Sequence, residues 1–182
     1  ILDINGNLTV SNNTTLDVSA ANIAITLAGN WTDQNTSAGA GFVRRLGTVT
    51  IDGTTAQTIT VSASPITVHN LTVNKSAGTL SLSGDCRVAN TLTMTQGNIN
   101  AGSSKITLGT GTLSTGTLTR TTGTIIGNFE RWTNITSTNI LFPVGTANNY
   151  RPVTLNFGSL TGGTMTIGFV ASNPGTNGLP VS

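Results

Sequence analysis

Pairs of apolar residues at positions i and i+2, separated by small polar residues, run along most of the chain. The pattern is clearest over residues 71–108, where the pairs are Leu71/Val73, Leu80/Leu82, Cys86/Val88, Leu92/Met94 and Ile106/Leu108. Because residues i and i+2 of an extended strand point to the same side, each pair predicts a short strand with one inward-facing side. Glycine, asparagine and aspartate between the pairs predict tight turns, and no helical spacing persists. The pattern predicts an all-β chain that winds in short straight segments.

An earlier copy of this pattern lies at residues 2–29 and aligns with residues 80–109. The apolar pairs that align are Leu2/Ile4 with Leu80/Leu82, Leu8/Val10 with Cys86/Val88, Leu16/Val18 with Leu92/Met94, and Ile25/Leu27 with Ile106/Leu108. Repetition of this kind is typical of stacked units that bury their apolar sides against one another. We therefore predict an irregular right-handed parallel β-helix, or β-solenoid, over residues 1–126, with about six coils of roughly 20 residues each.

The frequency of aromatic residues and the predicted length of the strands change at about residue 127. Six of the eight aromatic residues follow this point, and three longer strands are predicted over residues 139–144, 151–157 and 164–170. Fewer and longer strands with aromatic anchors indicate a small antiparallel β module that stacks on the end of the solenoid. We assign residues 127–182 to this module, with the Pro- and Gly-rich end of the chain as the start of a linker.

Composition narrows the class of protein. Charged residues make up 8% of the chain, and a net charge of +2 leaves no basic patch of the kind that binds nucleic acid. One cysteine cannot form an internal disulfide, and no apolar run is long enough to make a transmembrane segment. The chain opens inside a strand pattern, without a signal peptide, and we therefore expect it to be part of a longer protein.

Several motifs carry a resemblance to a known family. The segments GNWTDQNT, GTVTIDGTTAQTIT and HNLTVNKSAGTLSLSG, followed by LFPVGTANNYRPVTLNF, resemble repeat regions of very large secreted surface proteins of Bacteroidetes. The resemblance covers nearly the whole chain, and its motifs are structural. It implies β-helix-like repeats in adhesins that the type IX system exports to the bacterial cell surface. Ile51 and Val68 stand where an aromatic residue is usual in that family, and these departures concern packing.

Few residues could carry chemistry. His69 is the single histidine and has no partner at metal-ligand spacing, so we interpret it as a turn or surface residue. Cys86 aligns with Leu8 at an inward position, and we interpret it as a small core residue and not as a nucleophile. The six carboxylates form neither an acid pair nor a calcium-binding repeat. We predict that the chain is not an enzyme and that it has no metal site and no cofactor.

One cluster near the end of the chain is a candidate ligand site. Trp132, Tyr150 and Arg151 could bind polysaccharide, because aromatic faces and arginine donors suit sugar rings and carboxylates. The alternative is that Trp132 and Tyr150 anchor the terminal module to the solenoid, with Glu130 pairing an arginine. This second interpretation is favoured, since buried aromatic residues are common at such junctions.

Alternating threonines at residues 91–95 and 115–119 raise the hypothesis of ice binding. Ranks of threonine on a flat solenoid face can order water, but threonine also favours the exposed side of any strand. Ice binding requires equal spacing from coil to coil, whereas the predicted coil lengths vary. It is therefore a minor alternative.

Together these observations favour a non-catalytic structural segment, or stalk, of a large extracellular adhesin or surface filament. Its expected partners are the neighbouring modules of the same long chain and, in addition, surface polysaccharide; nucleic acid is not expected. A polysaccharide-binding module is the alternative function. The structural hypothesis and the binding hypothesis differ in what they predict for Trp132→Ala, which should lower stability in the first case and polysaccharide binding in the second.

Overall fold

A computed structural model describes residues 1–37, 40–63, 65–170 and 172 of the chain. These residues form a β-solenoid of about six turns with small antiparallel elements, which confirms the predicted fold class. No helix in these ranges is long and apolar enough to cross a membrane. One predicted feature, the linker at the end of the chain, lies almost entirely outside the described residues.

Fifteen strands form the fold within the described ranges. The strands of the coils are β1 (Leu2–Ile4), β2 (Leu8–Val10), β3 (Leu16–Asp17), β4 (Ile25–Leu27), β5 (Trp31–Asp33), β6 (Phe42–Val43), β7 (Thr48–Ile51), β8 (Gln57–Val61), β9 (Ile66–Ser83), β10 (Cys86–Leu108), β11 (Thr117–Arg120) and β12 (Ile125–Thr133). Three further strands follow, namely β13 (Ile140–Phe142), β14 (Val153–Leu155) and β15 (Gly163–Ile167).

Parallel pairing divides each coil into three sides, which stack into three faces. The first face consists of β1, β4, β7, residues 71–73 of β9, residues 92–94 of β10, and β11. The second face consists of β2, β5, β8, residues 80–82 of β9, residues 99–100 of β10, and the start of β12. The third face consists of β3, β6, residues 66–68 of β9, residues 86–88 and 105–108 of β10, and residues 128–131 of β12.

The core is the stack of inward-facing apolar residues. On the first face, the residues that meet in register in successive coils are Leu2, Ile25, Val49, Leu71, Leu92 and Leu118. This register gives coils of 21 to 26 residues, somewhat longer than predicted. Burial of each large aliphatic side chain contributes about 1.5–3 kcal/mol, so the stack is the main source of stability.

The two segments that align in sequence occupy different faces, so this alignment does not identify equivalent sides. Leu2 and Ile4 lie on the first face, whereas Leu80 and Leu82 lie on the second. The physical reason is that all three sides of a coil need the same inward pair at i and i+2. The pattern identifies a side of a coil but not which side it is.

The terminal elements differ from the three-stranded arrangement that the sequence predicts. β13 and β14 form an antiparallel pair, but β15 pairs antiparallel with β12 and so extends the sheet of the solenoid. Val144 also forms a parallel bridge with Ile125. β12 itself runs across the boundary predicted between residues 126 and 127. β15 and Val144 therefore continue the stack of the solenoid, whereas β13 and β14 form a separate two-stranded sheet.

The corners use the predicted turn residues. Gly78, Gly84, Gly97 and Gly102 all have positive φ, as expected for turn glycines. Asparagines connect successive coils at the same corners: the Asn30 N–H donates to Asn7 Oδ1 (2.8 Å), and the Thr58 N–H donates to Asn30 Oδ1 (2.8 Å). These bonds satisfy backbone groups that leave the strand ladders where the chain turns.

Candidate functional site

Tyr150 lies against an arginine that the sequence did not pair with it. The guanidinium carbon of Arg120 is 3.7 Å from the centroid of the Tyr150 ring, a cation–π contact. Arg120 Nε also donates to the Gly123 oxygen at 2.8 Å, which fixes the guanidinium at the end of β11. Arg120 covers one side of the ring, and Tyr150 as a whole residue remains 38% exposed. The Tyr150 ring is thus partly available to a ligand.

Trp132 and Arg151 have separate surroundings. Trp132 is half-buried in β12 and is paired with Thr164 of β15. Arg151 is exposed, and its N–H donates to the Val144 oxygen at 2.9 Å. Among the described residues, no hydrogen bond or ring contact joins Trp132 to Tyr150 or Arg151. A polysaccharide site formed by the three residues therefore stays a prediction.

Glu130 pairs with a lysine and not with the arginine that the sequence analysis proposed. Its carboxylate accepts hydrogen bonds from Lys105 Nζ (3.0 Å), Thr107 Oγ1 (2.9 Å) and Thr166 Oγ1 (3.2 Å). Burial alone would raise the pKa of Glu130, but these three bonds outweigh it and lower the pKa. The neighbouring Arg131 instead donates to the Leu141 oxygen at 2.9 Å. This polar cluster ties β10, β12 and β15 together on the third face.

His69 contacts an arginine. Arg44 Nη1 lies 2.9 Å from His69 Nδ1, so the neutral ring accepts this hydrogen bond and carries its proton on Nε2. Burial lowers the pKa of His69, and the positive charge of Arg44 lowers it further. In the described part of the chain, no group of three His, Cys, Asp or Glu side chains could hold a metal ion. His69 therefore serves as an acceptor for Arg44.

A cleft lies beside this pair because the third face is interrupted. β3 and β6 form a two-stranded sheet of their own, and in the described ranges β6 does not pair with residues 66–68 of β9. The gap between these strands opens a cavity of about 530 Å³, a volume typical of small-molecule sites. Its lining includes Phe42, Arg44, Asp33 and Ile66, so apolar and charged groups meet there. The geometry is that of a shallow binding site between two coils.

Arg45 forms one end of the cleft and is held by an ion pair. Its Nε and Nη2 donate to the two carboxylate oxygens of Asp17 at 2.9 and 2.6 Å. The hydrogen bonds from Arg45 are the largest influence on the pKa of Asp17, and they lower it. Arg45 also has a φ of 44°, a left-handed conformation that is uncommon for a residue with a side chain. Both partners are exposed, and such a pair contributes little stability by itself.

Lys75 is a buried charged residue that the sequence analysis did not single out. Its Nζ donates to the backbone oxygens of Gly53 (2.5 Å) and Thr55 (2.8 Å) and to Gln57 Oε1 (2.5 Å). Burial lowers the pKa of Lys75, and the negative charge of Asp52 partly opposes this shift. The acceptors lie 18 to 22 residues earlier in the chain, so no local pattern indicates them. Lys75 therefore connects successive coils at the corner between the first and second faces.

Cys86 is a core residue, as predicted. Its side chain is buried among the inward residues of the third face, where it pairs in register with Ile66. Burial raises the pKa of the Cys86 thiol to about 12, and the charge of Asp85 acts in the same direction. Nucleophilic catalysis and metal binding both need the thiolate, which is negligible at neutral pH here. The surroundings of Cys86 favour packing.

Comparison of the chain with protein-family models, with curated proteins and with solved structures gives no match. The geometry of the described residues is therefore the basis for assigning a function. That geometry offers a terminal aromatic region, a cleft on the third face and two continuous outer faces.

Proposed function

We propose that this chain is a structural segment, or stalk, of a large extracellular adhesin or surface filament. The observation that carries the proposal is the unbroken stack of six inward residues on the first face, from Leu2 to Leu118. Stacked at about 4.8 Å per coil, such a chain makes a rod whose length grows with the number of coils. A spacer needs length and rigidity, and it needs no catalytic residue.

Contacts between successive coils support this proposal. Besides the strand ladders, side chains at the corners reach the backbone of the preceding coil, as Lys75 does towards Gly53 and Gln57 does towards Leu27 and Gly29. Each bond of this kind contributes about 1 kcal/mol, and more where the donor is charged. Because they join residues far apart in sequence, they resist the separation of neighbouring coils.

The open edge of the first coil supports neighbouring modules as partners. Leu2 is 41% exposed, whereas its counterpart in the next coil, Ile25, is fully buried. Leu8 and Leu16 are likewise only half-buried on the second and third faces. An exposed strand edge with apolar inward residues favours pairing with further β-structure. We propose that another module of the same long chain stacks here.

The mass of the native polypeptide tests the stalk proposal. Denaturing electrophoresis of the source material, with peptide mapping, should place this sequence in a chain many times heavier than 18.6 kDa. Similar segments should flank it. A mature product close to 18.6 kDa would contradict the stalk proposal.

Trp132→Ala separates the stalk from a polysaccharide-binding module. Since Trp132 is half-buried in β12, the structural role predicts a loss of about 1–3 kcal/mol of unfolding free energy. Polysaccharide binding would instead be lost without a change in the melting temperature. Affinity electrophoresis in gels that contain polysaccharide, together with thermal melts, distinguishes these two results.

A further inference from the structure

The outward side of the first face carries threonines in two parallel columns. In the first column, the residues that meet in register in successive coils are Thr26, Thr50, Thr72, Thr93 and Thr119. In the second column, two positions earlier on each strand, they are Thr48, Asn70, Thr91 and Thr117. Eight of these nine positions are threonine, so the face is a two-dimensional array and not a single stripe.

The array has fixed repeats in both directions. Neighbouring strands of a sheet lie about 4.8 Å apart, and residues i and i+2 of one strand lie about 6.6 Å apart. Threonine is β-branched and has a restricted χ1, so its hydroxyl and methyl groups keep a constant orientation relative to the strand. Hydroxyl groups therefore recur at these spacings over five coils in the first column and over four coils in the second, where Asn70 takes one position.

Variation in coil length does not disturb this grid. The coils differ by up to five residues, yet Thr50, Thr72 and Thr93 remain in direct register. The register shifts between β9 and β10 lie between Val88 and Thr91 and after Met94. These positions flank the first face, so the extra residues are accommodated at the corners.

The hydroxyls of the first column are free to bind water. In the described part of the chain, no protein hydrogen bond involves the hydroxyls of Thr50, Thr72 or Thr93. The third face differs, because Thr107 and Thr166 donate their hydroxyl protons to Glu130. In the first coil the position in register with Thr26 is the charged Asp3, so the array of uncharged residues begins at the second coil. None of the nine residues from that coil onward is charged.

We propose that the first face binds ice. A regular array of threonine hydroxyls, with methyl groups between them, can hold water molecules at spacings close to oxygen repeats in the ice lattice. Each hydroxyl contributes little, but the sites act together because one rigid sheet presents them all, as for any multivalent contact. The rigidity of the solenoid also means that little conformational entropy is lost on binding. This proposal is independent of the stalk function and adds a ligand to one of its faces.

The second face provides a matched control. Its outward residues include Thr9, Thr32 and Thr60 in register, but the next position in that column is Ser83. The neighbouring column contains Thr58, Ser81, Asn100 and Ile126 in successive coils. This mixture of side chains presents no regular hydroxyl grid. A substitution here changes the surface without touching the array.

Thermal hysteresis of the 182-residue chain tests the proposal. We expect the wild-type chain to lower the freezing point below the melting point and to shape ice crystals. Thr72→Tyr, in the middle of the array, should abolish both effects because its ring holds the face away from the ice. Thr50→Tyr is a second variant in the same column, and Thr60→Tyr on the second face should retain activity. Circular dichroism melts verify that all three variants fold.

Each of the following three results with ice would overturn the proposal, and a fourth result, with cellulose, would do so as well. The results with ice are no hysteresis and no ice shaping by the wild-type chain, equal loss of activity in Thr60→Tyr, and full activity in the folded array variants. Binding to microcrystalline cellulose without any effect on ice would also overturn it, and would assign the face to polysaccharide. None of these results bears on the mass of the native polypeptide, so they leave the stalk proposal to its own test.

Discussion

The corner between the first and second faces should be unusually sensitive to the addition of a methyl group. A Cβ at Gly29 would lie 2.2 Å from the Gly6 oxygen, and one at Gly123 would lie 2.1 Å from the Gly97 oxygen. In both cases the obstacle is the backbone of the preceding coil, which cannot move as a flexible side chain can. We therefore expect alanine at these positions to push neighbouring coils apart.

Two other glycines allow the effect of steric contact on stability to be separated from the effect of backbone conformation. Gly102 has a φ of +58° but open space around its Cα, whereas Gly6 has neither a left-handed φ nor a close neighbour. Gly29 has the close neighbour without a left-handed φ, and Gly123 has both, with a φ of +92°. The four positions form a complete two-by-two comparison.

The expected magnitudes follow from the two causes. A left-handed conformation costs an alanine about 1–2 kcal/mol. Displacement of packed backbone costs about 1–3 kcal/mol, and the distances above place Gly29→Ala at the upper end. Gly123→Ala combines both causes, so it should lose about 2–5 kcal/mol. Gly6→Ala should be neutral or stabilising by up to about 1 kcal/mol, because alanine restricts the unfolded chain.

Urea denaturation of the four variants measures these differences. The free energies of unfolding should rank Gly6→Ala above Gly102→Ala and Gly29→Ala, with Gly123→Ala lowest, at similar m-values. Equal stability of Gly29→Ala and Gly6→Ala would refute the reasoning, since it would mean that the coils do not approach as closely as the stack requires.

Three further predictions concern titratable groups. Because the pKa of Cys86 is about 12, iodoacetamide should label it at neutral pH only after denaturation, and rapid labelling of the folded chain would contradict its burial. The lowered pKa of Glu130 means that its ionised form stabilises the fold above its ordinary value of 4.5, so stability should fall as the pH drops through the folded pKa. The melting temperature of Glu130→Gln should therefore fall less steeply with decreasing pH in the acid range than that of the wild type. The pKa of His69 is also lowered, so the unfolded chain binds a proton at a higher pH than the folded chain does, and stability should fall as the pH drops below 6.5. If the melting temperature of His69→Gln depended on pH as strongly as that of the wild type, this reasoning would be contradicted.

The local elements of this fold could be predicted from the sequence. Leu71 and Val73 are a pair at i and i+2, and both are fully buried on one side of a strand. The glycines between such pairs adopt the positive φ that their turns require. Each of these features depends on neighbouring residues, and a short stretch of sequence is therefore sufficient to indicate it.

The arrangement of the coils could not be predicted in the same way. Leu2/Ile4 and Leu80/Leu82 satisfy one pattern but lie on different faces, because every side of a coil buries the same kind of pair. Lys75 appears in a polar turn, and only the stacking of coils places its ammonium group against acceptors about 20 residues earlier. Both features depend on which coil lies over which, and the sequence pattern carries little information on that.

The threonine array shows how coil length and face register are separate properties. Unequal coils suggest irregular faces when the sequence is considered alone. In the structure, residues 92–94 of β10 remain aligned with residues 71–73 of β9, and the differences in length fall at the corners. A regular face can therefore exist on an irregular solenoid, provided that insertions avoid its strands.

The interruption of the third face shows again that one face of the solenoid can be irregular while the other faces keep their register. Among the residues that the structure describes, β6 does not pair with β9, yet the coils on either side stay stacked because β4, β7 and β9 pair on the first face. β5, β8 and β9 do the same on the second face. Two continuous ladders are thus sufficient to hold the stack, and the third side is free to vary. In a rod built this way, stability resides in the two regular faces, while the third can open a cleft of about 530 Å³ without breaking the rod.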